Sequence, residues 1–184
     1  MDEQTAIQCL KQGDIGGLES LVHRYQVKAL RVANLITRDL PLAEDVVQDC
    51  FLHLLRAAHS FDTSRSFEPW FMRSVVNASV KAAQKMAKKV PVDSDADEDW
   101  FETVLGRGES AEVEAESLVF QQEIQNALGK LSPRQRAVIV QRYFLDLGES
   151  EMAAEMAVAP GTIKWLLNTA RARLRNILGE RSAK

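Results

Sequence analysis

The chain has 184 residues, 46% of them hydrophobic and 7% aromatic, with a formal net charge of −3. That apolar share can fill a core, so wholesale disorder is excluded and one large or two small domains are expected. Cys9 and Cys50 lie far apart without metal-ligand spacing, no apolar run approaches the roughly 20 residues that span a bilayer, and the N-terminal Met-Asp-Glu-Gln is acidic where a secretion signal would be basic; a cytoplasmic protein without membrane insertion is expected.

Apolar residues recur at three- and four-residue spacing and hardly ever alternate, which predicts an all-α fold. Residues 3–12 and 14–36 each read as a helix, the second striped by Ile15, Leu18, Leu21, Val22 and Tyr25, then Ala29, Val32 and Ile36. Pro41 opens the next helix, at a position where proline is tolerated. Over residues 42–59 that helix sets Val46, Val47, Cys50, Phe51, Leu54 and Leu55 on one side, with Asp45, Gln48, Asp49 and Arg56 mostly on the other. A loop over 61–66 follows, and then a long helix from about Glu68 to Lys89, apolar at first (Trp70, Phe71, Val75, Val76) and basic at its far end.

Charge divides the remainder. Residues 93–116 hold ten acids against Arg107 alone, a net of −9, which leaves +6 on the rest of the chain. Between Pro69 and Val92 there is no acid, and the bases are Arg73, Lys81, Lys85, Lys88 and Lys89. Residues 160–184 carry Lys164, Arg171, Arg173, Arg175, Arg181 and Lys184 against Glu180. Two basic segments around an acidic middle fit phosphate binding, although solvated helix faces account for them equally well. The acidic stretch 91–116, with Pro91, Gly106 and Gly108 and no sustained period, reads as a linker. Trp100, Phe101, Val104 and Leu105 form an apolar cluster inside it, suited to docking.

After the linker, residues 117–129 predict a helix. Ser132-Pro133 opens another, with serine as N-cap and proline at the first helical position, and it runs to about Phe144. Residues 149–157 and 161–178 complete a four-helix domain. The last pair has the form of a helix-turn-helix: Ala153 allows a close crossing, Met152, Met156, Val158, Ile163 and Leu167 fall at core positions, and Pro160-Gly161-Thr162 starts the second helix. Such a pair lays its second helix in the major groove of DNA; a plain helical hairpin is the alternative. His23, His53 and His59 show no triad or metal arrangement and no phosphate-binding glycine loop is present, so no catalytic residue, cofactor or metal is expected.

The segment Leu131–Val138, followed by Tyr143-Phe144 and the helix-turn-helix, resembles the −35 domain of extracytoplasmic-function (ECF) RNA polymerase sigma factors, of the sigma-70 family. Ala43–Leu52 resembles that family's acidic polymerase-binding helix, and Phe67, Trp70, Phe71 and Asn77 match its following pattern. The motifs stand in the family's order across nearly the whole chain. The resemblance implies two helical domains, sigma-2-like over 1–90 and sigma-4-like over 117–184, joined by a linker that threads the polymerase cleft and RNA exit channel. It implies that Asp45, Gln48, Asp49 and Leu52 bind core polymerase at the beta-prime clamp helices, with the beta flap as a further contact. It also implies that Phe61, Arg65, Arg73, Asn77, Lys81, Lys85 and Lys88 bind and melt the −10 element. Pro160, Gly161, Thr162, Lys164, Trp165, Asn168 and Arg171 are then the −35 contacts. Phe61, Arg65 and Phe67 can offer a pocket and stacking surface for an unpaired base, the aromatics being equally suited to core, and Trp70, at the head of an apolar stripe, reads as core rather than ligand.

The chain also departs from the family pattern. Trp165 replaces a small polar residue, Leu166 and Thr169 replace arginines, and Lys81, Gln84 and Lys85 stand where an Asp and an Arg are usual. Lost cations weaken phosphate anchoring and guanine reading. An unusual promoter, or an exposed Trp165-Leu166-Leu167 patch for a protein partner, would follow; an anti-sigma factor is a further possible partner of the protein. A sigma-like adaptor with weak promoter reading and a stand-alone helix-turn-helix regulator remain the alternatives; the latter has no use for the Asp45–Gln48–Asp49 face.

Overall fold

In the computed structural model the described residues are 1–87 and 124–179, with side chains to 177. They are helical with short turns, as the periodicity predicts, and the chain forms two compact units, Met1–Ala82 and Ala83–Lys184. Residues 88–123 lie outside the described part, and with them Lys88, the acidic linker and its Trp100 cluster.

In the first unit, α1 (Glu3–Lys11) is capped by Asp2, whose carboxylate accepts the Thr5 N–H at 3.0 Å, and it buries Ala6, Ile7 and Leu10. Gly13, at φ +86°, turns the chain into α2 (Ile15–Thr37), which Asp14 caps. Gly17 permits the α1–α2 crossing: a Cβ there would lie 2.7 Å from the Leu10 amide nitrogen and closer still to the Ala6 carbonyl oxygen. Helix α2 ends on Arg38 in the left-handed conformation (φ 58°). Asp39 then caps α3 (Leu40–Ala57), accepting the Leu42 N–H at 2.8 Å, with Pro41 in the first turn. The core stripe of α3 is Ala43, Val46, Val47, Cys50, Phe51 and Leu54. Leu55, expected on it, is 38% exposed. Each four-residue step rotates the row by about 40°, and by Leu55 the 47–51–55 row has turned off the core face.

A 3-10 turn (Ala58–Ser60) and the 61–66 loop lead to α4 (Phe67–Ala87). Six rings bind α2, α3, the loop and α4 together. Tyr25 lies 5.5 Å from Phe67, Phe51 4.7 Å from Phe71, Phe61 5.7 Å edge-on to Phe67 and 4.9 Å from Trp70, and Phe67 stacks on Phe71 at 5.7 Å. Such pairs add roughly 0.5–1.5 kcal/mol each beyond their burial. A Tyr25–Glu3 hydrogen bond ties α2 to α1, and a Lys28–Glu68 ion pair ties it to the first turn of α4.

In the second unit, α5 is described over 124–129 and buries Ala127 and Leu128. Ser132 and Gln135 form a reciprocal capping box at the start of α6 (Pro133–Tyr143), with Pro133 in the first turn. Helix α6 is the centre of this unit: residues 135–141 are buried without interruption, including Gln141, whose amide donates to Glu155 at 3.0 Å. Helix α7 (Glu149–Met156) follows, its Glu151 accepting the Gly148 N–H at 2.7 Å. Ala157, left-handed at φ 52°, makes the tight turn into α8 (Pro160–Gly179). Met152, Ala153, Ile163 and Leu167 are core as expected, whereas Met156 and Val158, at the turn, are only half-buried.

Candidate nucleic-acid interface

On α3, Asp45, Gln48, Asp49 and Leu52 are all exposed, Leu52 by 43%. Their i, i+3, i+4, i+7 spacing puts them on one side of the helix, away from the core stripe. The structure divides this set. Gln48 and Leu52 border a groove of about 480 Å³ between α2 and α3, whose floor is Val47 and Phe51 and whose far wall is Leu18, Val22, Val27 and Leu30 of α2. Asp45 and Asp49 stand around the helix on the outer flank of the stripe. Burial and the neighbouring Asp49 push the Cys50 thiol up to about 11, leaving it a packing residue without thiolate chemistry. Spacing alone does not reveal this apolar α2 wall, because Leu18 and Val22 share one helical periodicity with the core residues Leu21 and Tyr25. A second apolar row beside Leu21, Tyr25 and Ala29 was the available signal.

The loop before α4 is ordered by its own side chains. Asp62 accepts the Ser64 N–H at 3.0 Å and the Ser64 hydroxyl at 2.8 Å, and the Arg65 guanidinium lies 3.5 Å from the same carboxylate. These hydrogen bonds, then the charges of Arg65 and Lys11, hold the Asp62 carboxyl below the ordinary carboxylate range. Lys11 of α1 donates to the Phe61 carbonyl at 2.9 Å and pins the loop base, a positioning role the local pattern around Phe61 gave no hint of.

Between the two roles open to Phe61, stacking surface or core, the structure has it as core. Its ring is 5% exposed, wedged between Phe67 and Trp70. Trp70 is half-buried, its ring 4.9 Å from Phe61, while Arg65 is exposed. Arg73, Asn77, Lys81 and Lys85 follow at four-residue intervals, all exposed, in one row along α4. Lys88, expected beside them, lies outside the described residues.

On α8, Pro160, Gly161, Lys164, Trp165 and Asn168 are exposed and Thr162 is half-buried. The expected Trp165-Leu166-Leu167 patch does not exist. Leu166 and Leu167 are 6% and 1% exposed and pack inward with Ile163 and Ala170, so Trp165 projects alone at 62%. The helical period decides this: 163, 166, 167 and 170 form one stripe and 165 faces the other way. Arg171 is half-buried, its Nε–H donating to the Tyr143 hydroxyl at 3.0 Å and its guanidinium 5.7 Å from the centre of that ring. Arg173 likewise donates to Gln135 at 3.2 Å. Tyr143, 65% exposed, is thus a neighbour of Arg171 that the spacing within α8 does not reveal.

Among the described residues no group of acidic, histidine or cysteine side chains could hold a metal ion, and no helix is long and apolar enough to cross a membrane. The Sigma-70 region 2 family matches residues 21–88 and the Sigma-70, region 4 family matches residues 121–174. The chain is 32% identical over 167 residues to the ECF RNA polymerase sigma factor SigM of Mycobacterium tuberculosis, covering 91% of this chain and 80% of that protein. It is 25% identical over 176 residues to the ECF RNA polymerase sigma factor SigW of Bacillus subtilis, covering 94% of each. The fold is similar to that of the sigma factor RpoE of Bartonella quintana, solved in complex with the anti-sigma factor NepR, with a TM-score of 0.66, 22% identity and 88% and 96% of the two chains covered. With both sigma-70 regions in order on an all-helical chain, and a relative above 30% identity along most of its length, the chain belongs to the ECF RNA polymerase sigma factors.

Proposed function

We propose that this ECF sigma factor binds core RNA polymerase through the α2–α3 groove and the stripe Asp45, Gln48, Asp49 and Leu52, and directs initiation at promoters that its two units read separately. Residues 1–90 act as the polymerase-binding and −10 domain, 91–116 as the acidic linker, and 117–184 as the −35 domain. The row Arg73, Asn77, Lys81 and Lys85, together with Lys88, holds the −10 strand by its phosphates, with Arg65 and the half-buried Trp70 beside the unpaired bases. The exposed side of α8 enters the major groove at the −35 element. The chain works by binding alone, in the cytoplasm; bond-making belongs to the polymerase. An anti-sigma protein is a partner by analogy with the RpoE complex.

The observation that carries this reading is the mixed stripe and groove on α3, in a chain that also bears two separate basic helices. A stand-alone regulator needs the helix-turn-helix but not that face. In vitro transcription with core polymerase and a promoter library separates the readings. Specific initiation supports the sigma factor, polymerase binding without initiation an adaptor, and DNA binding without polymerase a regulator. Asp45→Ala with Gln48→Ala should weaken core binding by roughly tenfold, within the range of interface truncations, while circular dichroism stays unchanged. Unaltered affinity would remove this face from the mechanism.

A further inference from the structure

The outward side of α8 carries few cations free to meet DNA. Arg171 and Arg173 are engaged with Tyr143 and Gln135, and Leu166 is core. The Thr169 hydroxyl donates back to the Trp165 carbonyl within the helix. What remains exposed on this side without a side-chain partner among the described residues is Lys164, Trp165 and Asn168 in the first turns, and Arg175 two turns further on. A Cβ at Gly161, on the same front, would meet no atom within 4 Å among the described residues. A single exposed aromatic is ordinary on a surface. This one stands beside an amide of complementary reading chemistry, on the helix that follows the tight turn.

The major groove offers one apolar group, the C5-methyl of thymine, and one edge with an acceptor next to a donor, N7 and N6 of adenine. An indole face suits the first. A carboxamide, with one N–H donor group and one carbonyl acceptor, suits the second bidentately. Three residues along a helix rise about 4.5 Å, close to the roughly 3.4 Å between stacked base pairs, so the two side chains address neighbouring pairs.

We propose that Trp165 and Asn168 are the specificity-determining residues of the −35 domain, Trp165 packing on a thymine methyl and Asn168 pairing with an adenine in the adjacent base pair. The inference rests on α8 being the −35 reader. Its consequence is a −35 element whose central step is built of A·T pairs, read by shape and hydrogen bonds rather than by arginine on guanine.

The test uses the full chain with core polymerase and promoters selected from a library randomised across the −35 region. The selected step should contain the thymine and adenine. Replacing that thymine with deoxyuridine removes only the methyl group and should weaken wild-type complexes about fourfold. Trp165→Phe should keep this dependence and Trp165→Ala should lose it. Replacing the adenine with 7-deazaadenine should weaken the wild type about fivefold or more and leave Asn168→Ala unaffected. Equal wild-type binding to thymine and deoxyuridine, or a methyl dependence that survives Trp165→Ala, overturns the proposal. Selection at the −10 region with no −35 preference overturns it too, while the sigma reading stands. No specific initiation from any template defeats both.

Discussion

Helices α4 and α8 have similar lengths and similar numbers of basic residues in sequence, yet they present different surfaces. On α4 the cations Arg73, Lys81 and Lys85 follow one exposed row, and among the described residues none has a side-chain partner. On α8, Arg171 and Arg173 are tied to Tyr143 and Gln135 of α6, the first turns present an indole, an amide and one lysine, and Arg175 follows towards the far end. A basic residue counted in sequence is therefore not yet a cation available to DNA. Whether it is free depends on the acceptors that the neighbouring helix supplies. The first unit grips by charge, which suits a strand that must be held whatever its bases. The second has less charge to spend on phosphates and more surface for bases.

The comparison breaks or holds on salt dependence. Combining Arg73→Ala, Lys81→Ala and Lys85→Ala should flatten the log–log salt slope of promoter-complex formation by about 2, at roughly 0.7 per phosphate contact on single strands. Between 50 and 200 mM salt that is a change of about tenfold or more. Lys164→Ala alone should flatten it by about 0.9, the value for one contact on duplex. Equal slopes for the triple variant and the wild type would show that the α4 row is only a solvated face.

A smaller effect sharpens the other half. Tyr143→Phe keeps the ring under Arg171 but removes the hydroxyl that accepts its Nε–H. The guanidinium then becomes available to a phosphate, and the salt slope should steepen by at most about 0.9. A slope unchanged in Tyr143→Phe but flattened in Arg171→Ala would mean that Arg171 already reaches the backbone while bound to Tyr143.

The sequence made the helices and their inner faces legible because periodicity and caps are local. The Ser132–Pro133 start, the Asp45–Asp49 side of α3 and the four-residue row on α4 all follow from spacing. What spacing could not convey is which neighbour covers a given face. Phe61 follows a break in helical pattern, so its place in the ring cluster depends on Phe67 and Trp70 folding back onto it. The Tyr143–Arg171 pair joins residues 28 positions apart, and no local rule links them. Leu166 and Leu167 were open to correction from the sequence itself, since the stripe begun by Ile163 already points them inward. The groove wall on α2 illustrates the same limit, because a helix with two apolar rows does not announce which one is core.

The loop before α4 holds an arginine of intermediate character. Arg65 lies 3.5 Å from Asp62, as Arg171 lies against Tyr143, but both partners are well exposed, at 76% and 58% of their side chains. An exposed pair of this kind contributes little, so Arg65 should behave like the α4 cations and not like Arg171. The Asp62 carboxyl is held low chiefly by the Ser64 hydrogen bonds. A depressed folded pKa means that the contribution of the charged carboxylate is complete above the ordinary Asp value of about 3.9 and is lost only as pH falls through the lower folded value. Loop order should therefore be constant from pH 6 to 8, and the Ser64 amide shift should titrate with a midpoint below the ordinary Asp value. Asp62→Asn keeps a side-chain acceptor for the Ser64 amide while removing the negative charge beside Arg65. It should tighten −10 strand binding at low salt by less than about twofold. A larger gain would place Arg65 with the restrained arginines of α8 and shrink the contrast between the two helices.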